Sequence, residues 1–313
     1  MLYSKGLIVR KEDEPMQRFP HGARVAFIGD SITHLNNYVC RIAAAYREED
    51  PACGITFRNC GISGGSATSA IRFFGEDIAP FAPTHATVML GVNDSCRDAL
   101  RQGEAGREKL EWAFAHYEER MRTLCDLLEG QGTRMTLLTP VPYAEFQPGP
   151  EEPLPGGEAL IARYAGAVRA LGAERGADVI DLHGPMLELY RSERLYRDDR
   201  VHPEDRGFWR MAEIFLEAQG FAPREFVPID EVQARAGLTA WDETVGKLRD
   251  LYAAEWMVIP GKGLTPEASL AAAGDYIANF RPGDMLYLKQ LAEAYLQNKP
   301  RQAELIAAGD LKL

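Results

Sequence analysis

Short apolar runs alternate with helix-like segments through the first two thirds of the chain. The runs are continuously apolar, which is typical of strands that a sheet buries on both faces. Strands that alternate with helices predict βαβ units and a mostly parallel sheet. The predicted strands are Val25–Ile28, Ile55–Arg58, Thr87–Leu90, Met135–Thr139 and Asp178–Asp181.

The segments between the strands have helical periodicity. In the longest one, apolar residues recur at steps of three and four, from Leu110 to Leu128, and so form one face of a helix. The predicted helices are Tyr38–Glu49, Ala67–Asp77, Arg107–Glu129, Glu158–Arg175 and Asp205–Gln219. This pattern predicts one α/β domain over residues 1–220, in which residues 1–20 are an N-terminal extension.

The strand-helix alternation stops after Gly220. Trp241 and Trp256 lie on one amphipathic stripe, and Thr265-Pro266 has the pattern of a helix start. We expect residues 221–313 to form a helical appendage. The stripe fits packing against the α/β domain, and also fits a subunit interface or a wall of a substrate cleft.

Composition narrows the possible partners. The net charge is −11, and the chain has no run rich in Lys and Arg, so neither nucleic acid nor an anionic membrane is an expected partner. The N-terminal residues lack the apolar stretch of a secretory signal. The five cysteines form no CxxC pair, which favours reduced thiols over a disulfide framework or a cysteine metal site. We therefore predict a cytoplasmic protein without a metal or another cofactor.

Polar residues follow the predicted strands, where ligands of open parallel sheets bind. The first strand is followed by Gly29-Asp30-Ser31, the second by Gly61-Ile62-Ser63-Gly64-Gly65, and the third ends in Gly91-Val92-Asn93-Asp94. The fourth ends in Thr139-Pro140, and Asp199 and His202 come after the fifth. These groups suit acyl transfer: His202 could activate the Ser31 hydroxyl, and Asp199 could orient the imidazole. Backbone N–H groups of Ser31 and Gly64 and the amide of Asn93 could stabilise an oxyanion.

Four motifs in this order resemble those of the SGNH hydrolases, also called GDSL esterases and lipases. They are GDS, NxGxSG, GxND and DxxHP, and they lie between Arg24 and Gly220. The resemblance implies a three-layer α/β/α sandwich with a five-stranded parallel, flavodoxin-like sheet. It implies that Ser31 is the nucleophile, that Asp199 and His202 complete the triad, and that Ser31, Gly64 and Asn93 form the oxyanion hole. Ile32 replaces the usual Leu of the first motif.

Several residues compete for these roles. Ser63 lies in a GxSxG pattern, which is also the nucleophile elbow of α/β-hydrolases. His183 is the alternative imidazole, and Asp198 could replace Asp199. We interpret His34 as a substrate-side or merely exposed residue, and Asp30 as a structural acceptor of backbone N–H bonds.

The function that the sequence predicts is hydrolysis of carboxylic esters by a serine nucleophile. The favoured substrate is a short-chain, acetyl ester on a carbohydrate, because the strand ends are polar and no long apolar lid is recognisable. A lysophospholipase, a thioesterase or an acyltransferase of the same fold remains open. So does a non-catalytic carbohydrate-binding domain. A small-molecule or oligosaccharide ester is the expected ligand, and the C-terminal helices could support a homo-oligomer.

Overall fold

A six-stranded mixed sheet forms the centre of the protein. The computed structural model describes residues 16–150, 152–258 and 282–313, so most of the N-terminal extension and the predicted helix start at Thr265-Pro266 lie outside the described residues. The strands are β1 (Arg24–Gly29), β2 (Thr56–Gly61), β3 (His85–Met89), β4 (Arg134–Leu138), β5 (Asp178–Ile180) and β6 (Asp310–Lys312). They are arranged in the order β5-β4-β3-β1-β2-β6.

The helices connect the strands and continue into the C-terminal tail. The first seven are α1 (Ser31–His34), α2 (Asn37–Glu49), α3 (Ala67–Arg72), α4 (Glu104–Gly130), α5 (Gly157–Arg175), α6 (His183–Tyr190) and α7 (Asp205–Ala218). The tail contains α8 (Ile229–Arg235), α9 (Thr239–Met257), α10 (Pro282–Asn298) and α11 (Gln302–Ala308). A π-helical turn at Phe74–Ile78 ends the segment that we predicted as one helix to Asp77.

Alternate residues of β1 face opposite sides of the sheet. Val25 and Phe27 pack with α2 and α7, whereas Ala26 and Ile28 pack with α4 and α5. Both faces of the sheet are therefore covered by helices, which explains the continuously apolar strands.

The prediction of a five-stranded, wholly parallel sheet was wrong in one respect. Strands β1 to β5 are parallel, but β6 pairs with β2 in the antiparallel direction. The Arg58 guanidinium contacts both carboxylate oxygens of Asp310, at 2.6 and 2.8 Å. The C-terminal tail thus supplies an edge strand as well as helices.

The tail also packs on the edge of the sheet domain. Apolar residues of α9, α10 and α11 form a cluster with Ile62 and Phe73. Beside it, Arg249 of α9 makes a bidentate ion pair with Asp77, and both side chains are almost completely buried. The division of the chain near residue 220 stays a prediction.

Candidate active site

Ser31 lies at the carboxyl end of the central strand. The Asp30 carboxylate accepts the Ile32 backbone N–H at 2.9 Å and so caps the short helix α1, which begins at Ser31. The structural role that we predicted for Asp30 is confirmed. The register pairs Gly29 with Gly61 of β2 and with Met89 of β3. The loops after these three strands consequently start at the same edge of the sheet.

A chain of hydrogen bonds joins Asp199, His202 and Ser31. Ser31 Oγ lies 2.7 Å from His202 Nε2, and His202 Nδ1 lies 2.7 Å from Asp199 Oδ2. With Asp199 as the acceptor, Nδ1 carries the proton and Nε2 is left to accept the Ser31 hydroxyl proton. This is the arrangement in which a serine hydroxyl can be activated.

Asp199 is held in its charged form. Burial opposes ionisation, but the His202 ring and the backbone N–H groups of His202 and Val201 donate to the carboxylate and lower its pKa to about 2. A charged Asp199 stabilises the imidazolium that forms when His202 takes a proton.

A buried arginine fixes the loop that carries Asp199 and His202. Arg200 has a left-handed backbone, with φ of 62°, and its guanidinium donates to the carbonyls of Ala144, Glu145 and Gln147. The Gln147 side chain in turn binds the backbone of Leu195 and Tyr196. Neither residue was predicted from the sequence. Arg200 lies inside the DxxHP motif, but an arginine there indicates no particular partner.

Gly64 and Asn93 lie in adjoining loops. The Asn93 amide donates to the carbonyl of Gly65 at 2.8 Å, so the loop after β3 is attached to the loop after β2. Gly64 has a φ of 67°, and an added Cβ would lie 2.7 Å from Met257 Sδ, so the position has no room for a side chain. The roles of these residues as oxyanion donors stay predictions.

The segments that follow β1 and β3 each contain a buried carboxyl group, Asp30 and Asp94. Burial raises the pKa of Asp30 to about 6 and the pKa of Asp94 to about 7. Hydrogen bonds from backbone N–H groups to these carboxylates lower the pKa but do not offset burial. Asp94 Oδ1 accepts the Ala67 N–H at the start of α3, while Oδ2 has no partner among the described residues.

The competing residues are engaged elsewhere. The Ser63 backbone N–H donates to His34, and Asp198 pairs with Arg194. His183 is buried, which lowers its pKa to about 4, and its backbone N–H donates to Thr139 Oγ1. The hydrogen bond to the Ser31 hydroxyl is made by His202.

Of the two alternatives for His34, the exposed one was wrong, and the substrate-side one stays a prediction. His34 is buried, with Nδ1 accepting the Ser63 N–H at 3.2 Å and Nε2 lying 3.1 Å from Asp250 of α9. The partner carboxylate is 216 residues away in sequence, so no local pattern could indicate it.

The two tryptophans of the C-terminal stripe have different surroundings. Trp241 is buried and donates to the Gly309 carbonyl at 3.0 Å, which fits a packing role. Trp256 is half-buried and donates to the Gly64 carbonyl at 2.9 Å, next to the predicted oxyanion hole. An interface between subunits stays a prediction.

Within the described ranges, no group of three or more His, Cys, Asp or Glu side chains is arranged to hold a metal ion. In the same part of the chain, no helix combines the length and the apolar character needed to cross a membrane. The predictions about cofactors and cellular location are unchanged by these observations.

Comparison with known proteins identifies the family of the chain and its fold. The family model of the GDSL-like lipase/acylhydrolase family matches residues 27–210, which is more than half of the chain. No curated protein matches the sequence.

Two solved structures illustrate the similarity of the fold. A gut microbial diltiazem-metabolizing enzyme aligns with 96% of this chain and 98% of its own, at a TM-score of 0.70 and 16% identity. The acetylxylan esterase Axe2 from Geobacillus stearothermophilus aligns with 66% of this chain and 99% of its own, at a TM-score of 0.55 and 23% identity. The first alignment includes the C-terminal tail, whereas the second covers about two thirds of the chain.

Proposed function

Because the chain belongs to the GDSL-like lipase/acylhydrolase family, we propose that it hydrolyses carboxylic esters through an acyl-enzyme formed on Ser31. The observation that carries this proposal is the hydrogen-bond chain from Asp199 through His202 to Ser31, with both contacts at 2.7 Å. A serine hydroxyl is a weak nucleophile unless an adjacent base accepts its proton, and His202 Nε2 is at the required distance.

In the first half of the reaction, Ser31 Oγ attacks the ester carbonyl carbon while its proton moves to His202 Nε2. The C=O electron pair shifts to the oxygen, which becomes an oxyanion. Collapse of this intermediate breaks the bond to the alcohol oxygen, and His202 gives its proton to the departing alcohol. Ser31 is then esterified with the acyl group.

In the second half, a water molecule takes the place of the alcohol. His202 accepts a proton from water as the water oxygen attacks the acyl carbon. Collapse of the second intermediate returns the proton to Ser31 Oγ and releases the carboxylic acid. Asp199 remains ionised throughout, in keeping with its lowered pKa.

The oxyanion requires donors that are fixed before the reaction starts. We assign this role to the backbone N–H groups of Ser31 and Gly64 and to the side-chain amide of Asn93. The Asn93 amide has two N–H bonds, and its contact with the Gly65 carbonyl uses one of them. No described residue is bonded to the second N–H, which we assign to the substrate oxyanion.

We favour an acetyl ester of a carbohydrate as the substrate. Polar side chains at the strand ends support this choice, and the fold shared with an acetylxylan esterase makes acetylated xylan a rational first test. Diltiazem is a second test compound, because the diltiazem-metabolizing enzyme aligns along nearly the whole chain.

The test is a panel of p-nitrophenyl acetate, butyrate and palmitate, acetylated xylo-oligosaccharides and diltiazem, assayed with the parent and with Ser31→Ala. We expect the acetyl esters to have the highest kcat/KM and Ser31→Ala to be inactive on all of them. A faster reaction with palmitate would contradict the acetyl preference. Turnover that persists in Ser31→Ala would contradict the mechanism.

A further inference from the structure

The C-terminal tail reaches the turn that carries Gly64. We call residues 62–65 the Gly64 turn. It follows β2 and is bound from two sides: Asn93 donates to Gly65 from the side of the sheet domain, and α9 contacts it from the tail. A sheet domain without this tail would lack the second set of contacts.

Trp256 is the first contact from the tail. Its indole Nε1–H donates to the Gly64 carbonyl at 2.9 Å, and the next residue, Met257, lies against the Gly64 Cα, where it occupies the space of a side chain. The indole N–H is a donor only, and the Gly64 carbonyl is its acceptor. This hydrogen bond restricts the direction of the Gly64 carbonyl.

The second contact runs through a histidine. His34 Nδ1 accepts the Ser63 backbone N–H, so Nε2 carries the ring proton and donates it to Asp250 of α9. Asp250 therefore holds His34 in the tautomer that can accept from the turn.

These contacts act on two peptide units that flank a third. The Ser63 N–H belongs to the peptide between residues 62 and 63, and the Gly64 carbonyl belongs to the peptide between residues 64 and 65. The peptide between them carries the Gly64 N–H. Because each peptide unit is planar, fixing the two outer units restricts the rotation of the middle one.

We propose that Trp256 and the His34–Asp250 pair are positioning residues, through which the C-terminal tail aims the Gly64 N–H at the oxyanion. This inference depends on the proposed esterase function. The tail is then a part of the catalytic unit, because it preorganises a group that stabilises the transition state.

The expected signature is kinetic. Charge develops on the oxygen only as the tetrahedral intermediate forms, so a misdirected N–H weakens transition-state binding more than substrate binding. Loss of a positioning contact should lower kcat and leave KM within a few-fold of the parent. Displacements on the order of 1 Å cost about 10²-fold in rate.

The chain offers a matched pair of substitutions for the test. Trp256→Phe and Trp241→Phe make the same change on α9, and each removes one indole bond to a glycine carbonyl, at 2.9 and 3.0 Å. We expect Trp256→Phe to lower kcat about 10- to 100-fold and Trp241→Phe to leave it within about twofold. Both are assayed on p-nitrophenyl acetate after Ser31→Ala has shown that turnover depends on Ser31.

Equal kcat values in the two variants would overturn the inference, while the Ser31 dependence would still support the proposed function. Persisting activity in Ser31→Ala would overturn the function itself.

If Trp256→Phe fails to fold, as judged by its melting temperature, His34 supplies the second test. His34→Asn places an oxygen near the position of Nδ1 and should retain more kcat than His34→Ala. Equal kcat in these two variants would also count against the inference.

Discussion

The protein contains two similar arrangements of a carboxylate, an imidazole and a serine. In one, Asp199 contacts His202, which contacts the Ser31 hydroxyl. In the other, Asp250 contacts His34, which accepts the backbone N–H of Ser63. The difference is in the atom that the imidazole contacts. A base on a hydroxyl can create a nucleophile, whereas an acceptor on a backbone N–H can only hold the chain in place.

The two arrangements also differ in which ring nitrogen meets the carboxylate. Nδ1 of His202 contacts Asp199, and its Nε2 contacts the Ser31 hydroxyl. In His34 the roles are reversed: Nε2 contacts Asp250, and Nδ1 accepts the Ser63 backbone N–H. The lesson is that residue types alone do not identify a catalytic triad. The identity of the contacted atom does, and the following substitutions test that distinction.

Asp199→Asn and Asp250→Asn are the same change in the two arrangements. We expect Asp199→Asn to lower kcat by about 10⁴-fold, because an amide favours the wrong tautomer of His202. Asp250→Asn should reduce kcat by about 10-fold at most, because it disturbs only a positioning contact. The measurement is kcat for both variants on p-nitrophenyl acetate. Similar losses in the two would erase the distinction between the arrangements.

Arg249 tests how firmly the tail is attached to the sheet domain. Arg249→Met leaves the buried Asp77 carboxylate without its ion-pair partner, and such losses cost about 3–5 kcal/mol of folding free energy. The double substitution Arg249→Met with Asp77→Leu removes both charges and should recover a large part of the loss. Urea unfolding of the three proteins measures this, and no recovery in the double variant would show that the ion pair is not the cause.

Asn93 is the side-chain donor that we assign to the oxyanion. Asn93→Ala should reduce kcat by about 10²–10³-fold with little change in KM, equivalent to about 2.7–4 kcal/mol of transition-state stabilisation. Asn93→Asp keeps the shape but places a negative charge beside the oxyanion, so it should be at least as damaging. A loss of melting temperature in both variants, with kcat within a few-fold of the parent, would instead assign Asn93 to the turn alone.

Asp94 contrasts with Asp199, because its pKa is raised to about 7 by burial instead of lowered. Between about pH 4 and pH 7 the unfolded chain releases a proton that folded Asp94 retains, so this group makes the free energy of unfolding fall as pH rises. Asp94→Asn removes that contribution. We expect the free energy of unfolding of Asp94→Asn, relative to that of the parent, to be at least about 1 kcal/mol higher at pH 8 than at pH 4, since one pKa unit is about 1.4 kcal/mol. Parallel urea unfolding curves for parent and variant at both pH values would contradict the raised pKa.

The sheet domain was predictable because its signals are local. The strand runs, the helical periodicity and the four motifs each lie within short stretches, and parallel pairing brings their ends to one edge. Strand β6 was missed because Asp310-Leu311-Lys312 is a three-residue segment whose pairing with β2 depends on tertiary contacts such as that between Arg58 and Asp310.

The second arrangement was not predictable for a related reason. His34 and Asp250 are separated by most of the chain, and Trp256 and Gly64 by 192 residues. The stripe that contains Trp256 fits a wall of a substrate cleft, but nothing in the sequence indicates that the indole would meet the Gly64 carbonyl. Periodicity identifies the helix, whereas the partner of each side chain is set only when the tail packs on the sheet domain.

Reaction with a serine-directed fluorophosphonate, followed by peptide mass spectrometry, tests the central claim most directly. The phosphonate forms a covalent bond only with a serine whose hydroxyl is activated by a base. Our account predicts a single adduct on Ser31, none in Ser31→Ala, and unchanged labelling of Ser31 in Ser63→Ala. An adduct on Ser63, or unchanged esterase activity in Ser31→Ala, would contradict it.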